Sequence, residues 1–297
     1  MFLKGAITAL VTPMKENGDI DFNSLEKLIN FQIESGISSI VAVGTTGESA
    51  TIDFDDHIKL IKFFVEVSDK RIPIIAGTGA NSTEEALVLT KSAKDSGAAA
   101  ALLVSPYYNK PPQDGIYEHH IKIADEVDLP QILYNVPSRT ASFIEPNTVA
   151  RLAKHENIIG IKDATGEMNN LENIKNLCRQ QIDLGNFLLF SGDDFSSFEF
   201  LSNGGHGTIS VVSNIVPSTV SAICKLIKED IKKAKNLDSS LQELNKNLFI
   251  ESNPIPVKWA LYKMGLIETG IRLPLIQLND AFKKSLEDSL KELNLVK

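Results

Sequence analysis

The stretch IIGIKDATGE, residues 158–167, sets how the rest of the chain is read. It opens with four residues that are aliphatic or glycine, and then comes Lys162. A strand this apolar is covered on both faces, as the strands of a parallel sheet are. Seven further runs of β-branched and aliphatic residues lie at 5–13, 38–43, 72–79, 99–106, 130–137, 187–194 and 205–212. Each of the eight is followed by an amphipathic stretch, at 23–35, 55–67, 83–96, 113–126, 145–154, 169–178, 195–203 and 217–235. Asn23 and Ser82 stand where helix N-caps belong, and Gly36 and Gly97 where helices stop.

Eight strand–helix units close naturally into an α/β fold, the (β/α)8 TIM barrel. The competing architecture is an open doubly wound sheet. Its usual marker, a G-x-G-x-x-G after the first strand, is missing. Residues 1–235 therefore read as a catalytic barrel. Residues 236–297 read as a small C-terminal helical extension of three helices, with PIPVKWALYKMG as one of them.

The 297 residues, 43% hydrophobic and 23% charged, suit one such barrel. A net charge of -8 argues against nucleic acid or an anionic membrane as partner. Cys178 and Cys224 are too few for a disulfide framework, so a reducing, cytoplasmic setting is expected. The start, MFLKGAITALVTPM, does not read as a signal peptide, and no apolar run has the length of a membrane span.

Barrel active sites are built at the C-terminal ends of the strands. In this sequence those ends carry GTTGES, GTGANS, SPYYNKPP, YNVPSRT and SGDD, with Lys162 inside the sixth strand and GHGTISV across the eighth. Hydroxyls, phenols, Arg139 and Lys162 converge on one mouth. Two readings of Lys162 stand. It pairs with Asp163 or faces a loop, because buried charge needs a partner. Alternatively it is a nucleophile: an ammonium taken out of water loses solvation, and the neutral amine attacks a carbonyl to form a Schiff base. The iminium then acts as an electron sink for aldolase-type carbon–carbon chemistry.

That chemistry needs a proton shuttle. Tyr134, ending the neighbouring strand, is either packing or that shuttle, with Thr45 as a bridge in a phenol–hydroxyl relay. Arg139 suits a carboxylate. The five histidines show no metal-ligand spacing, which speaks against a metal-dependent aldolase, and no cofactor is expected. Asp193 and Asp194 at the seventh strand end would repel a phosphate, so the substrate reads as unphosphorylated.

GAITALVTP, GTTGES, AGTGAN, PYYNKP, ILYNVPSRT, IIGIKDATG, LLFSGDD, GTISV and ESNPIPVKWA together resemble the dihydrodipicolinate synthase family of class I pyruvate-dependent aldolases, over essentially the whole chain. The resemblance implies condensation of pyruvate with L-aspartate 4-semialdehyde through a lysine Schiff base. The product would be 4-hydroxy-tetrahydrodipicolinate, in the first committed step toward diaminopimelate and lysine. It implies Lys162 as the Schiff-base lysine, Tyr134 as proton donor and acceptor, and Thr45 as the middle of the relay. Tyr108 would be its far end, reaching into a neighbouring subunit. Thr46 would hold the pyruvate carboxylate, Arg139 the semialdehyde carboxylate, and Ile209 would line the site. It further implies a homotetramer, a dimer of tight dimers. An inhibitory L-lysine site is implied at Ser49, Ala50, His57, Asn81, Glu85 and Tyr107, where Phe54 departs from the histidine of sensitive enzymes; ordinary interface polarity is the other reading of those six.

Two further readings remain. N-acetylneuraminate lyase or a 2-keto-3-deoxy acid aldolase would keep the Schiff base and change the acceptor. Those relatives usually carry GST in place of GTT and lack the arginine of NVPSRT. A catalytically silent keto-acid binder would have no reason to keep the lysine, both tyrosines and the threonine.

Overall fold

The computed structural model describes residues 3–297. Eight strands form where the apolar runs predict them: β1 Gly5–Ala9, β2 Ser39–Ala42, β3 Ile74–Gly77, β4 Ala100–Val104, β5 Gln131–Asn135, β6 Ile158–Asp163, β7 Leu188–Ser191 and β8 Gly207–Ser210. Each pairs in parallel with the next, and β8 pairs with β1, so the sheet is a closed barrel. Closure excludes the open doubly wound alternative.

Strand residues alternate between two destinations. Ile7, Val41, Ile75, Leu102, Ile132, Tyr134, Phe190 and Ile209 meet in the lumen. Their neighbours, among them Leu103, Leu133 and Ile161, face the ring of helices. Side chains such as Phe187 and Phe190 are fully buried, and each contributes about 1.5–3 kcal/mol relative to exposure.

The pairing of β5 with β6 contains one irregularity. Gln131 pairs with Ile158, but Ile132 pairs with Gly160, so the register slips by one residue. The slip puts Lys162 opposite Tyr134. Without it Ile161 would take that place and Lys162 would face the helices, since a one-residue shift exchanges the two faces of a strand.

Two local expectations change. The first helix, Phe22–Glu34, is capped by Asp21 and not by Asn23: the Asp21 carboxylate accepts from the Ser24 backbone at 3.1 Å and from its hydroxyl at 2.6 Å. Ser82 does cap Thr83–Asp95, and Gly36 and Gly97 follow their helices with φ of 79° and 87°. The helix expected over 217–235 breaks at Asp230. Pro217–Glu229 ends there, and the Asp230 side chain caps a new helix, Ile231–Leu248, by accepting from Lys233 N at 3.0 Å. Two more helices follow, Ile255–Lys263 and Asp280–Glu292. Leu244, Leu248, Val257, Leu261, Leu286 and Leu290 join the apolar cluster beneath the helices after β1, β2 and β3. The C-terminal helices thus share their core with the barrel.

Candidate active site

The loop after β2, GTTGES, is tightly wound. Val43 is held at φ 53° and Glu48 at φ 61°, conformations that a β-branched residue above all rarely adopts. The loop sits hard against β3: a Cβ on Gly77 would come 2.4 Å from the Val43 carbonyl oxygen. Thr12 Oγ1 also donates to the Gly47 carbonyl at 2.7 Å. This anchoring sets Thr45 and Thr46 on the rim of the lumen.

Lys162 is 6% exposed, in the lumen, with its Nζ 4.2 Å from the centre of the Tyr134 ring. Among the described residues it forms no ion pair. Asp163 faces the other way. Its carboxylate accepts from Asn135 Nδ2 at 3.0 Å, Thr165 Oγ1 at 2.8 Å and Asn170 Nδ2 at 2.9 Å. Burial raises the Asp163 pKa, and these bonds pull against that rise. The pairing of Lys162 with Asp163, one of the two readings of the lysine, is therefore excluded by strand geometry.

Lys258 supplies the comparison. It is the second lysine within an apolar run, 4% exposed, and it does have a partner: its ammonium donates to Glu48, whose side chain is fully buried. Burial pushes the Lys258 pKa down, while the Glu48 carboxylate pulls it up. Glu48 also accepts from Arg272 N at 3.2 Å. Of these two buried lysines, one is neutralised by a carboxylate and one is not.

Two cavities meet at the GTTGES loop. A small one, about 40 Å³, is lined by Thr45, Thr46, Tyr134 and Lys162. A larger one, about 450 Å³, is lined by Thr45, Ser49, His57, Glu85, Tyr107 and Arg139, with Phe54 and Asn253. Thr45 and Ser49 border both. Arg139 Nη2 donates to the Asn253 carbonyl at 3.3 Å.

The expected site residues fall into three groups. Lys162, Tyr134, Thr45 and Thr46 come together at the small cavity, and Arg139 at the larger one. Ile209, 1% exposed, belongs to the same lumen cluster but borders neither cavity. Tyr108 is not brought to the others within one chain: it is 88% exposed, at φ 74°, with its backbone N–H donating to the Thr140 carbonyl at 3.3 Å.

Of the six residues expected to take lysine, Ser49, Ala50, His57, Glu85 and Tyr107 line the larger cavity. Asn81 does not; its backbone carbonyl accepts from Asn109 Nδ2 at 2.9 Å. Burial raises the Tyr107 pKa and the nearby Glu85 charge adds to the rise. His57 Nε2 lies 2.7 Å from the Gly77 carbonyl, and burial holds its pKa below the usual value. A neutral His57 donating there satisfies both.

Asp193 and Asp194 turn out to be loop anchors. Asp194 Oδ2 accepts from the backbone of Val211 and Val212, each at 2.9 Å, and Asp193 Oδ2 accepts from Ser196 Oγ at 2.6 Å. Three contributors escaped the sequence reading: Asn253, Lys258 and Gly192. A Cβ on Gly192 would lie 2.8 Å from Lys162 Cε, so the glycine makes room for the lysine stem. Lys258 carried the same signal as Lys162, a lysine inside an apolar run.

The sequence profile of the dihydrodipicolinate synthetase family matches residues 2–293. The 4-hydroxy-tetrahydrodipicolinate synthase of Alcanivorax borkumensis is 49% identical over 295 residues, 99% of each chain. Among solved structures, the chloride-inhibited dihydrodipicolinate synthase of Acinetobacter baumannii, complexed with pyruvate, superposes with a TM-score of 0.96 at 49% identity, covering 99% of this chain and 100% of that one. The dihydrodipicolinate synthase of Cyanidioschyzon merolae with lysine bound gives 0.94 at 34% identity, covering 99% of each.

Proposed function

The chain belongs to the dihydrodipicolinate synthetase family, and from that premise we propose that it is a lyase condensing pyruvate with L-aspartate 4-semialdehyde to 4-hydroxy-tetrahydrodipicolinate, on the route to diaminopimelate and lysine. The observation that carries the reading is Lys162, buried beside Tyr134 with no counter-charge among the described residues. An amine with no carboxylate bound to it, opening on a cavity beside a phenol, is placed to attack a carbonyl carbon.

In this reading Lys162 Nζ attacks the pyruvate carbonyl carbon. Water leaves once the oxygen has been protonated, giving a protonated Schiff base. Thr46, beside the lysine, holds the pyruvate carboxylate. Loss of a proton from the methyl group gives an enamine, which attacks the aldehyde carbon of the semialdehyde. Its oxygen takes up a proton and becomes the 4-hydroxyl. The semialdehyde's own amine then attacks the imine carbon, closes the ring and releases Lys162. Tyr134 moves these protons, with Thr45 linking it to the bulk side. Arg139, on the wall of the larger cavity, receives the second carboxylate.

Tyr108 completes the relay from a second copy of the chain. Its near-total exposure and strained backbone fit a side chain presented outward to a partner. The assembly is a homotetramer, a dimer of such tight dimers, working in the cytoplasm. Within each chain the catalytic barrel runs to the break at Asp230, and the helices from Ile231 onward are an extension that walls the site through Asn253. L-lysine binds in the larger cavity, with Glu85 facing its ammonium, and Phe54 on the wall weakens that binding.

The test is reductive trapping. Protein incubated with pyruvate and borohydride is digested and mapped by mass spectrometry, and the expected adduct is on Lys162. Aspartate semialdehyde is then offered and product formation followed. No adduct, or one on a surface lysine, would overturn the reading.

A further inference from the structure

Asn253 has no step in the reaction just described, yet it touches both groups given to substrate carboxylates. Its Nδ2 donates to Thr46 Oγ1 at 2.9 Å, and its carbonyl accepts from Arg139 Nη2 at 3.3 Å. It comes from the C-terminal extension, 207 residues away from Thr46 in sequence. It lines the larger cavity and is 6% exposed. Its Oδ1 is buried with no partner among the described residues. Burying an acceptor unpaired is expensive, and folded proteins keep few such groups. A side chain retained for the fold alone gains nothing by it.

A threonine hydroxyl has one hydrogen to give and two lone pairs to receive. The Asn253 N–H fills one lone pair of Thr46, so the hydroxyl hydrogen must point elsewhere. Thr46 borders the small cavity that Lys162 lines. We propose that Asn253 is a positioning residue for the keto acid: by donating to Thr46 Oγ1 it turns the Thr46 hydroxyl hydrogen toward the substrate carboxylate. This rests on the reading of Thr46 as the pyruvate-carboxylate donor. The two segments are held in place by the buried Lys258–Glu48 ion pair, which joins the same run to the same loop.

The experiment compares full-length wild type with Asn253→Ala, Asn253→Asp, Thr46→Val and the Thr46→Val/Asn253→Ala double variant. Steady-state kinetics are taken for each substrate, with thermal unfolding as the check on folding. Asn253→Asp keeps the size of the side chain, but its carboxylate only accepts, so it captures the Thr46 hydrogen. Asn253→Ala should raise the pyruvate KM about tenfold, the worth of one hydrogen bond, and Asn253→Asp should raise it further. The semialdehyde KM should move less in Asn253→Ala, because the backbone carbonyl that receives Arg139 is kept. In the Thr46→Val background the Asn253→Ala change should add nothing to the pyruvate KM.

An undiminished Asn253→Ala effect in that background overturns the inference, as does an unchanged pyruvate KM in Asn253→Asp. Should Asn253→Ala fail to fold, the isosteric aspartate decides alone. Borohydride trapping on wild type separates the two levels. An adduct on Lys162 together with wild-type pyruvate KM in the Asn253 variants sinks only this inference. Absence of an adduct in wild type sinks the proposed function and this inference with it.

Discussion

Exchanging each of the two buried lysines for methionine separates a structural charge from a nucleophile. Methionine keeps the unbranched stem and removes the charge. Lys258→Met strands Glu48, whose side chain is fully buried, without a cation. Breaking a buried pair from one side costs about 3–5 kcal/mol. In a chain of this length about 2 °C of Tm follows each kcal/mol, so the expected drop is about 6–10 °C. Adding Glu48→Gln should recover part of it, because the stranded charge is then gone. Lys162→Met should behave in the opposite way. Among the described residues Lys162 has no counter-charge to strand, and removing it takes an unpaired polar group out of the lumen. Its Tm should stay at or above that of wild type, while pyruvate trapping and turnover vanish. Scanning calorimetry and borohydride trapping on the three variants read both quantities. A Lys162→Met protein as destabilised as Lys258→Met would refute the reasoning, since it would make Lys162 a paired structural charge.

Gly192→Ala should displace the Lys162 stem, because the new methyl lies 2.8 Å from Cε and 2.9 Å from the Ala164 Cβ. A misplacement of that order costs turnover about a hundredfold, to be read as a slower adduct-forming rate with little change in Tm. Tyr108→Phe should slow turnover while leaving Tm within about 1 °C, because the side chain is 88% exposed and its phenol has no hydrogen bond among the described residues; a large loss of Tm would make it a packing residue. Stability should fall with acid through His119, whose pKa burial lowers from 6.5 to about 4. The unfolded chain takes the proton at 6.5 and the folded chain only near 4, so stability is complete above 6.5 and is lost as pH falls through that window. The loss is about 3 kcal/mol, seen as a falling urea midpoint, and His119→Gln should flatten that part of the slope.

Much of the fold was legible because its determinants are local. A buried parallel strand has to be apolar along its whole length, and a helix over it needs only one apolar face. The eightfold alternation could therefore be read from the chain, together with Lys162 as the exception inside one strand. Caps and breaks were less legible. Asp21 and Asn23 are both able to cap a helix, and only the path of the entering chain selects Asp21. The break at Asp230 lies in a stretch of unbroken helical pattern, where a capping side chain competes with continuation.

The chain by itself determined the barrel, the mouth at the strand ends and the residue types gathered there. Tertiary structure decided which of them face one another. The slip between β5 and β6 chooses Lys162 over Ile161 as the partner of Tyr134. The Asn253–Thr46 bond and the Lys258–Glu48 pair join positions more than 200 residues apart. Periodicity reports only which face of its own element a residue occupies. Contacts of such separation arise when the barrel closes and the C-terminal helices settle on it, and the energy that selects them is burial shared across the whole core.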